Sequence, residues 1–236
     1  MNNQTNYNHD INKYVSRFTN IYSLDSNGRF LSYDHLRNIF LRYRNDESKK
    51  EFLSLHLFAY LGSWGMLRNS FLMHKDYLFS LPVVDILCED KYNSLLDINQ
   101  YTKITDNEVN LILDLVNRIR NYYIGKTYYD SKVNEYLEIS NVTDTLVSKI
   151  ILGTFGCIVA YDTYARSALS YLGFNQRINT KSIRQLNEFI IQNESVIRNF
   201  QNHLNPTIYT PMKIVDMYLF EKGYDIEESK RNKNNN

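Results

Sequence analysis

The sequence predicts an all-α fold of about nine or ten helices, on three observations. Apolar residues recur at helical spacing through most of the chain. Residues that cap or start helices stand in front of these runs. No alternating strand pattern of any strength is present, because the run Ile158, Val159, Ala160 is too short and its neighbours read as helix ends.

Residues 1–8 are polar and read as a leader without fixed structure; periodicity begins near His9, with Ile11, Tyr14, Val15 and Phe18 on one side. Asp25, Ser26, Asn27 and Gly28 mark a turn, after which Ser32 can cap a helix carrying Leu36, Ile39, Phe40 and Tyr43. From Glu47 a long helix is apolar on more than one face and belongs in the core. Pro82 suits the first turn of a helix containing Val83, Val84, Ile86 and Leu87. Thr105 and Glu108 form a capping box ahead of the stripe Val109, Ile112, Leu113, Val116, Ile119 and Tyr123.

Gly125 ends that helix. Residues 126–130 read as a tyrosine-rich loop, and Ser131 as the start of a short helix through Val133, Tyr136 and Leu137. A polar turn at 139–144 caps a helix over 145–155. Further on, Thr180 can cap a helix with Ile183, Leu186, Phe189 and Ile190, and Asn205-Pro206 breaks the turns that follow. Thr210-Pro211 then starts a helix through Met212, Val215, Tyr218 and Leu219 that Gly223 is expected to stop. Residues 227–236 are charged and asparagine-rich, with no reason to fold.

The 236 residues suit a single globular unit, and 43% hydrophobic with 22% charged residues exclude a fibrous or disordered chain. With 27 basic and 26 acidic side chains the net charge is +1, so any nucleic-acid surface must be local. Cys88 and Cys157 stand in apolar settings with no metal-ligand spacing, so no metal is expected and a reducing cytoplasm fits. No apolar segment opens the chain, and the uncharged stretches 53–67 and 150–161 fall short of the roughly 18 residues a membrane span needs. Neither export nor a membrane partner is expected, and oligomeric state is left open.

The chain is organised around residues 149–173, K-I-I-L-G-T-F-G-C-I-V-A-Y-D-T-Y-A-R-S-A-L-S-Y-L-G. A nearly uncharged run meets a carboxylate, Asp162, immediately before a helix carrying Arg166. Such an acid is paired, used as a helix cap, or kept for chemistry. An aspartate before T-Y-A-R-S-A-L is a good N-cap in its own right. Upstream, L-G-S-W-G-M-L-R sets Trp64 between glycines that permit close approach by a helix or by a planar ligand. His56 and His74 read as hydrogen-bonded core or boundary residues.

The run from 150 to 173 resembles the catalytic segment of the helix-hairpin-helix DNA glycosylase superfamily. There an apolar helix after the hairpin reaches a small-residue loop, then a catalytic aspartate opening a D-T-x-x-x-R helix that ends in Leu-Gly. Asp162, Thr163, Arg166, Leu172 and Gly173 match in order and spacing. The resemblance covers about 35 residues, 139–173. Ser140 to Asp144 occupies the place of the family's L-P-G-V-G turn and lacks both glycines, and the cluster cysteines of some members are absent. Bifunctional members carry a nucleophilic lysine near the position of Thr145 or Leu146, so a lyase step is not expected.

The resemblance implies two helical lobes around a cleft, the central one spanning about 105–175. It implies a monofunctional DNA glycosylase, without cofactor or metal, acting on double-stranded DNA with one base flipped out. Asp162 would stabilise the sugar cation, and Trp64, Arg68, Tyr161 and Tyr164 would receive the base. Asn141, Thr143, Thr145, Lys149 and Arg166 would hold DNA, Lys149 as a phosphate contact or a surface charge. The L-G-S-W-G-M-L-R block and the late P-M-K-I-V-D-M-Y segment are also similar to bacterial proteins carrying an F-G-C-x-x-A-Y-D-x-Y core, and some relatives in that wider group look like phage-defence glycosylases acting on modified bases. The alternative is a catalytically silent helical DNA-binding or protein-interaction module, marked by an Asp162 cap onto which no cleft opens.

Overall fold

The computed structural model describes residues 7–234 and is mostly helical, with 67% helix and 4% strand. Helix α1 (Asn8–Ser23) buries the stripe Ile11, Tyr14, Val15 and Phe18. Helix α2 (Leu31–Tyr43) starts before Ser32, whose hydroxyl bonds the Arg29 carbonyl at 2.7 Å instead of capping the helix. A 3-10 turn capped by Asp46 leads into α3 (Lys50–Ser63). Two more, capped by Ser70 and Asp76, lead to α4 (Leu81–Leu87), with Pro82 in its first turn.

Helix α5 (Asp106–Tyr123) begins with the expected capping box: the Glu108 N–H donates to Thr105 Oγ1 at 3.2 Å and the Thr105 N–H to Glu108 Oε2 at 2.7 Å. Thr105→Ala removes one half of this exchange, and chemical denaturation should show a loss of about 1 kcal/mol with an unchanged m-value.

The short helix expected from Ser131 is not formed. Residues 127–138 make an antiparallel hairpin of β1 (Thr127–Asp130) and β2 (Glu135–Glu138), with Tyr128 opposite Leu137 and Tyr129 opposite Tyr136. Each strand presents its side chains with period two, and β-prone aromatics occupy both faces. Tyr129 and Tyr136 meet edge-on on the outer side with centroids 5.4 Å apart, while Tyr128 packs on His74 at 5.0 Å. Asn134 turns the chain at φ 60°.

The remaining helices are α6 (Asp144–Thr154), α7 (Thr163–Tyr171), α8 (Thr180–Gln192), α9 (Glu194–His203) and α10 (Pro211–Asn234). Asn179, not Thr180, caps α8 through a bond from the Ser182 N–H at 2.9 Å. Thr210 caps α10 as expected, accepting from the Lys213 N–H at 3.1 Å.

Gly223 does not stop α10, which continues to Asn234, so the segment expected to lack structure is helical over residues 227–234. Gly223 serves contact instead. A Cβ there would lie 1.9 Å from the Tyr164 carbonyl oxygen, because α10 and α7 pack backbone to backbone. At the other end, Tyr7 and Asn8 of the expected leader are ordered, Tyr7 against Phe189; residues 1–6 lie outside the described residues.

Helix α10 packs on α1, α7, α8 and α9, whereas α3 packs on α2, α4 and α6, and α5 on α4 and α6 and, joining the two groups, on α8. The buried apolar residues of both groups form one continuous cluster.

Candidate active site

Helix α6 is buried on every side from Leu146 to Thr154. It ends where Gly156 adopts φ +62°, a conformation that L side chains rarely take. Residues 157–161 then run without regular structure through the core, so their backbone groups need side-chain partners. They have them. The Gly156 carbonyl accepts from Thr210 Oγ1 at 2.7 Å and from Gln100 Nε2 at 3.1 Å. The Ala160 N–H donates to Asp216 Oδ1 at 2.8 Å, and the Tyr161 N–H to Ser148 Oγ at 2.9 Å. Thr145 Oγ1 donates to the Tyr161 carbonyl at 2.8 Å. Side chains of α6 and α10 thus hold the strut that carries Asp162.

Asp162 divides its two oxygens. Oδ1 caps α7, accepting from the Ala165 N–H at 3.0 Å, while Oδ2 lies 3.5 Å from Lys149 Nζ. Lys149 is 5% exposed, so of its two expected roles that of a surface charge is corrected. Its position inside α6, after a turn of buried residues, points it inward. Its ammonium donates to the Trp64 carbonyl at 3.0 Å and sits 5.7 Å from the Trp64 ring centroid. Burial lowers its pKa, Asp162 and Asp216 pull it back up, and Lys213 lowers it further, for a net downward shift.

Behind this pair lies a second one. Lys213 Nζ is 2.9 Å from Asp216 Oδ2, both side chains are buried, and the ammonium lies 4.5 Å from the Tyr33 ring centroid and 5.2 Å from that of Trp64. The four groups form a buried cluster of two cations and two carboxylates.

A cleft of about 470 Å³ opens onto Asp162 and Lys149. Trp64, Tyr164 and Phe220 wall it, Phe220 meeting Trp64 edge-on at 6.2 Å and Tyr164 at 5.3 Å. The Trp64 indole N–H is buried there without a protein partner. Beneath, a hollow of about 10 Å³ touches Lys149, Asp162 and Asp216, about the space one water molecule needs.

Of the residues expected at the site, the structure gathers Trp64, Arg68 and Tyr164 around Asp162. Tyr161 is not among them. It is fully buried, its hydroxyl 2.5 Å from Ser182 Oγ, and burial raises its pKa. Asn141, Thr143, Thr145 and Arg166 line a neighbouring groove of about 510 Å³. The Thr143 hydroxyl caps α6, accepting from the Leu146 N–H at 3.2 Å.

Sequence reasoning missed Lys213, Asp216, Phe220, Arg29 and Arg231. The signal for the first two was present: a lysine and an aspartate three residues apart inside the apolar run M-K-I-V-D-M. Among the described residues no three His, Cys, Asp or Glu side chains gather as a metal site requires, and no helix is long and apolar enough to cross a membrane. Both thiols are free, and burial pushes that of Cys88 up to about 11 and that of Cys157 up to about 12. No family model, curated protein or solved structure matches the chain.

Proposed function

We propose that the chain is a monofunctional DNA glycosylase that hydrolyses the N-glycosidic bond of a damaged or modified base flipped out of double-stranded DNA. One observation carries the reading: Asp162 caps a helix with one oxygen and turns the other toward an aromatic-walled cleft. A cap alone has no need of a cleft, whereas a silent module would enclose the carboxylate.

In this reading the two packing groups are the two lobes, α3 and its loop facing α7 and α10 across the cleft. The extruded base stacks between Trp64 and Tyr164. As the C1′–N bond breaks, the base leaves with the electron pair and positive charge grows on the sugar. The fixed Asp162 carboxylate stabilises that charge without reorganising. A water in the hollow beside Asp162 adds to C1′ and gives its proton to the carboxylate. The match of residues 150–173 to the glycosylase segment favours this chemistry, and the similar phage-defence core points to modified bases and a cytoplasmic, anti-phage role.

The test is to incubate wild type and Asp162→Asn with genomic DNAs of differing base modification and to measure released bases and abasic sites. Release by wild type alone supports the reading. Release that survives the substitution unchanged rejects Asp162 as the catalytic group, and no release from any DNA favours the silent module.

Lys149 gives the same site a second reading, because a buried amine with a lowered pKa faces the reacting position. Attack of that amine on C1′ would expel the base with its electron pair, and breaking of the C1′–O4′ bond, with the amine's proton passing to O4′, would leave an imine, the first step of a lyase. Borohydride reduction separates the two. A monofunctional enzyme should yield no covalent protein–DNA adduct; an adduct that disappears in Lys149→Met would replace hydrolysis by amine catalysis.

A further inference from the structure

Three arginines from distant parts of the sequence line the cleft: Arg29 ahead of α2, Arg68 in the loop after α3, and Arg231 in the last turn of α10. All three are exposed, and none belongs to an ion pair among the described residues. Among the described residues Asp162 is the only acid lining the cleft, and it already serves α7 and Lys149. Glu227, whose carboxylate feels the charge of Arg231, accepts from Ser167 and from Lys230, the latter at 2.7 Å. Arg29 lies 5.0 Å from the centroid of Phe30, whose ring packs on Trp64 at 5.4 Å, so this guanidinium is held against the aromatic wall.

Unpaired like charges converging on one opening repel each other, and exposed side chains of this kind add nothing to the core. In a chain of net charge +1 they are a local concentration, not a by-product of composition. A cationic rim above stacking aromatics is the arrangement that grips a nucleic-acid backbone while a base enters below. Guanidinium forks suit phosphate oxygens.

The turn that should do this work by its resemblance is poorly equipped for it. Asp144 places a carboxylate in the first turn of α6, where a phosphate would have to sit; it is bound by Arg120 and accepts from the Ile178 N–H at 3.1 Å. The hydroxyls of Thr143 and Thr145 are committed to Leu146 and Tyr161.

We propose that Arg29, Arg68 and Arg231 are the phosphate grip of the site, binding the backbone phosphates that flank the extruded nucleotide. This deepens the glycosylase reading and rests on it. The probe is a duplex containing one tetrahydrofuran abasic site, so that no base contributes, with binding followed by fluorescence anisotropy across a salt series. Each alanine substitution at the rim should lower the slope of log K against log salt by about 0.9, and the triple variant by roughly 2 to 3. Arg177→Ala, an exposed change in the neighbouring groove, should lower it less than any rim substitution.

Slopes unchanged in the rim variants, or lowered no more than by Arg177→Ala, would overturn the grip while leaving the glycosylase reading intact. Loss of affinity only on base-bearing duplexes would move the recognised anion from the backbone to the base, and would also overturn it. Failure of wild type to bind any duplex would sink both. Because the three side chains are exposed, unfolding is not a competing explanation, and melting temperatures within about 2 °C of wild type check this.

Discussion

Asp162→Asn is expected to reduce base release by at least about a hundredfold while the protein stays folded, since removal of one preorganised electrostatic group commonly costs two to three orders of magnitude. Asparagine caps a helix about as well as aspartate, so the bond from the Ala165 N–H can persist. The substitution therefore separates the two duties of this residue, which Asp162→Ala would not.

Its remaining cost falls on Lys149. Buried among Trp64, Asp162, Lys213, Asp216 and Tyr60, that amine already has a lowered pKa in the folded chain. Between the folded value and the ordinary lysine value, the unfolded state binds the extra proton, so stability rises with pH across that window. Removing the Asp162 charge lowers the folded value further and extends the window downward. The variant's stability deficit should be largest at pH values above the carboxylate range but below that window, and shrink as pH rises through it. Thermal melts across pH check this; a deficit that grows with pH would contradict it.

Gly223→Ala is expected to be the most destabilising single-methyl change among the residues described. Overpacking typically costs 1–3 kcal/mol, and here the added carbon meets a carbonyl oxygen at 1.9 Å, which no rotamer change relieves. Helices α7 and α10 must move apart, at a cost of about 3 kcal/mol or more by denaturant titration. Since Tyr164 follows Asp162 by two residues, base release should fall as well, even where the variant is fully folded. A variant as stable and active as wild type would mean that the close approach of α7 and α10 does not constrain the site.

The helices were legible wherever a stripe and a cap agreed, as with Thr105 ahead of Val109, Ile112 and Val116. The hairpin was not, because four-residue strands offer too few alternations to register against a helical background. Gly223 was misread for a related reason: glycine stops helices through positive φ and permits close packing through its missing Cβ, and only tertiary contact tells which use applies. Within the site, Asp162 was legible because its neighbours lie beside it in sequence. Lys213, Asp216, Phe220 and Arg231 were not, since their meaning comes from α10 folding back onto α7.

That return has a consequence during synthesis. The Ala160 amide waits 56 residues for its acceptor on Asp216. Phe220, Gly223 and Arg231 emerge later still. A nascent chain that has passed Asp162 but not α10 carries the carboxylate without the strut's anchor, the third aromatic wall or the complete cationic rim. On the glycosylase reading, partial translation products would thus be inert toward DNA, and competence would arrive only when the returning helix docks.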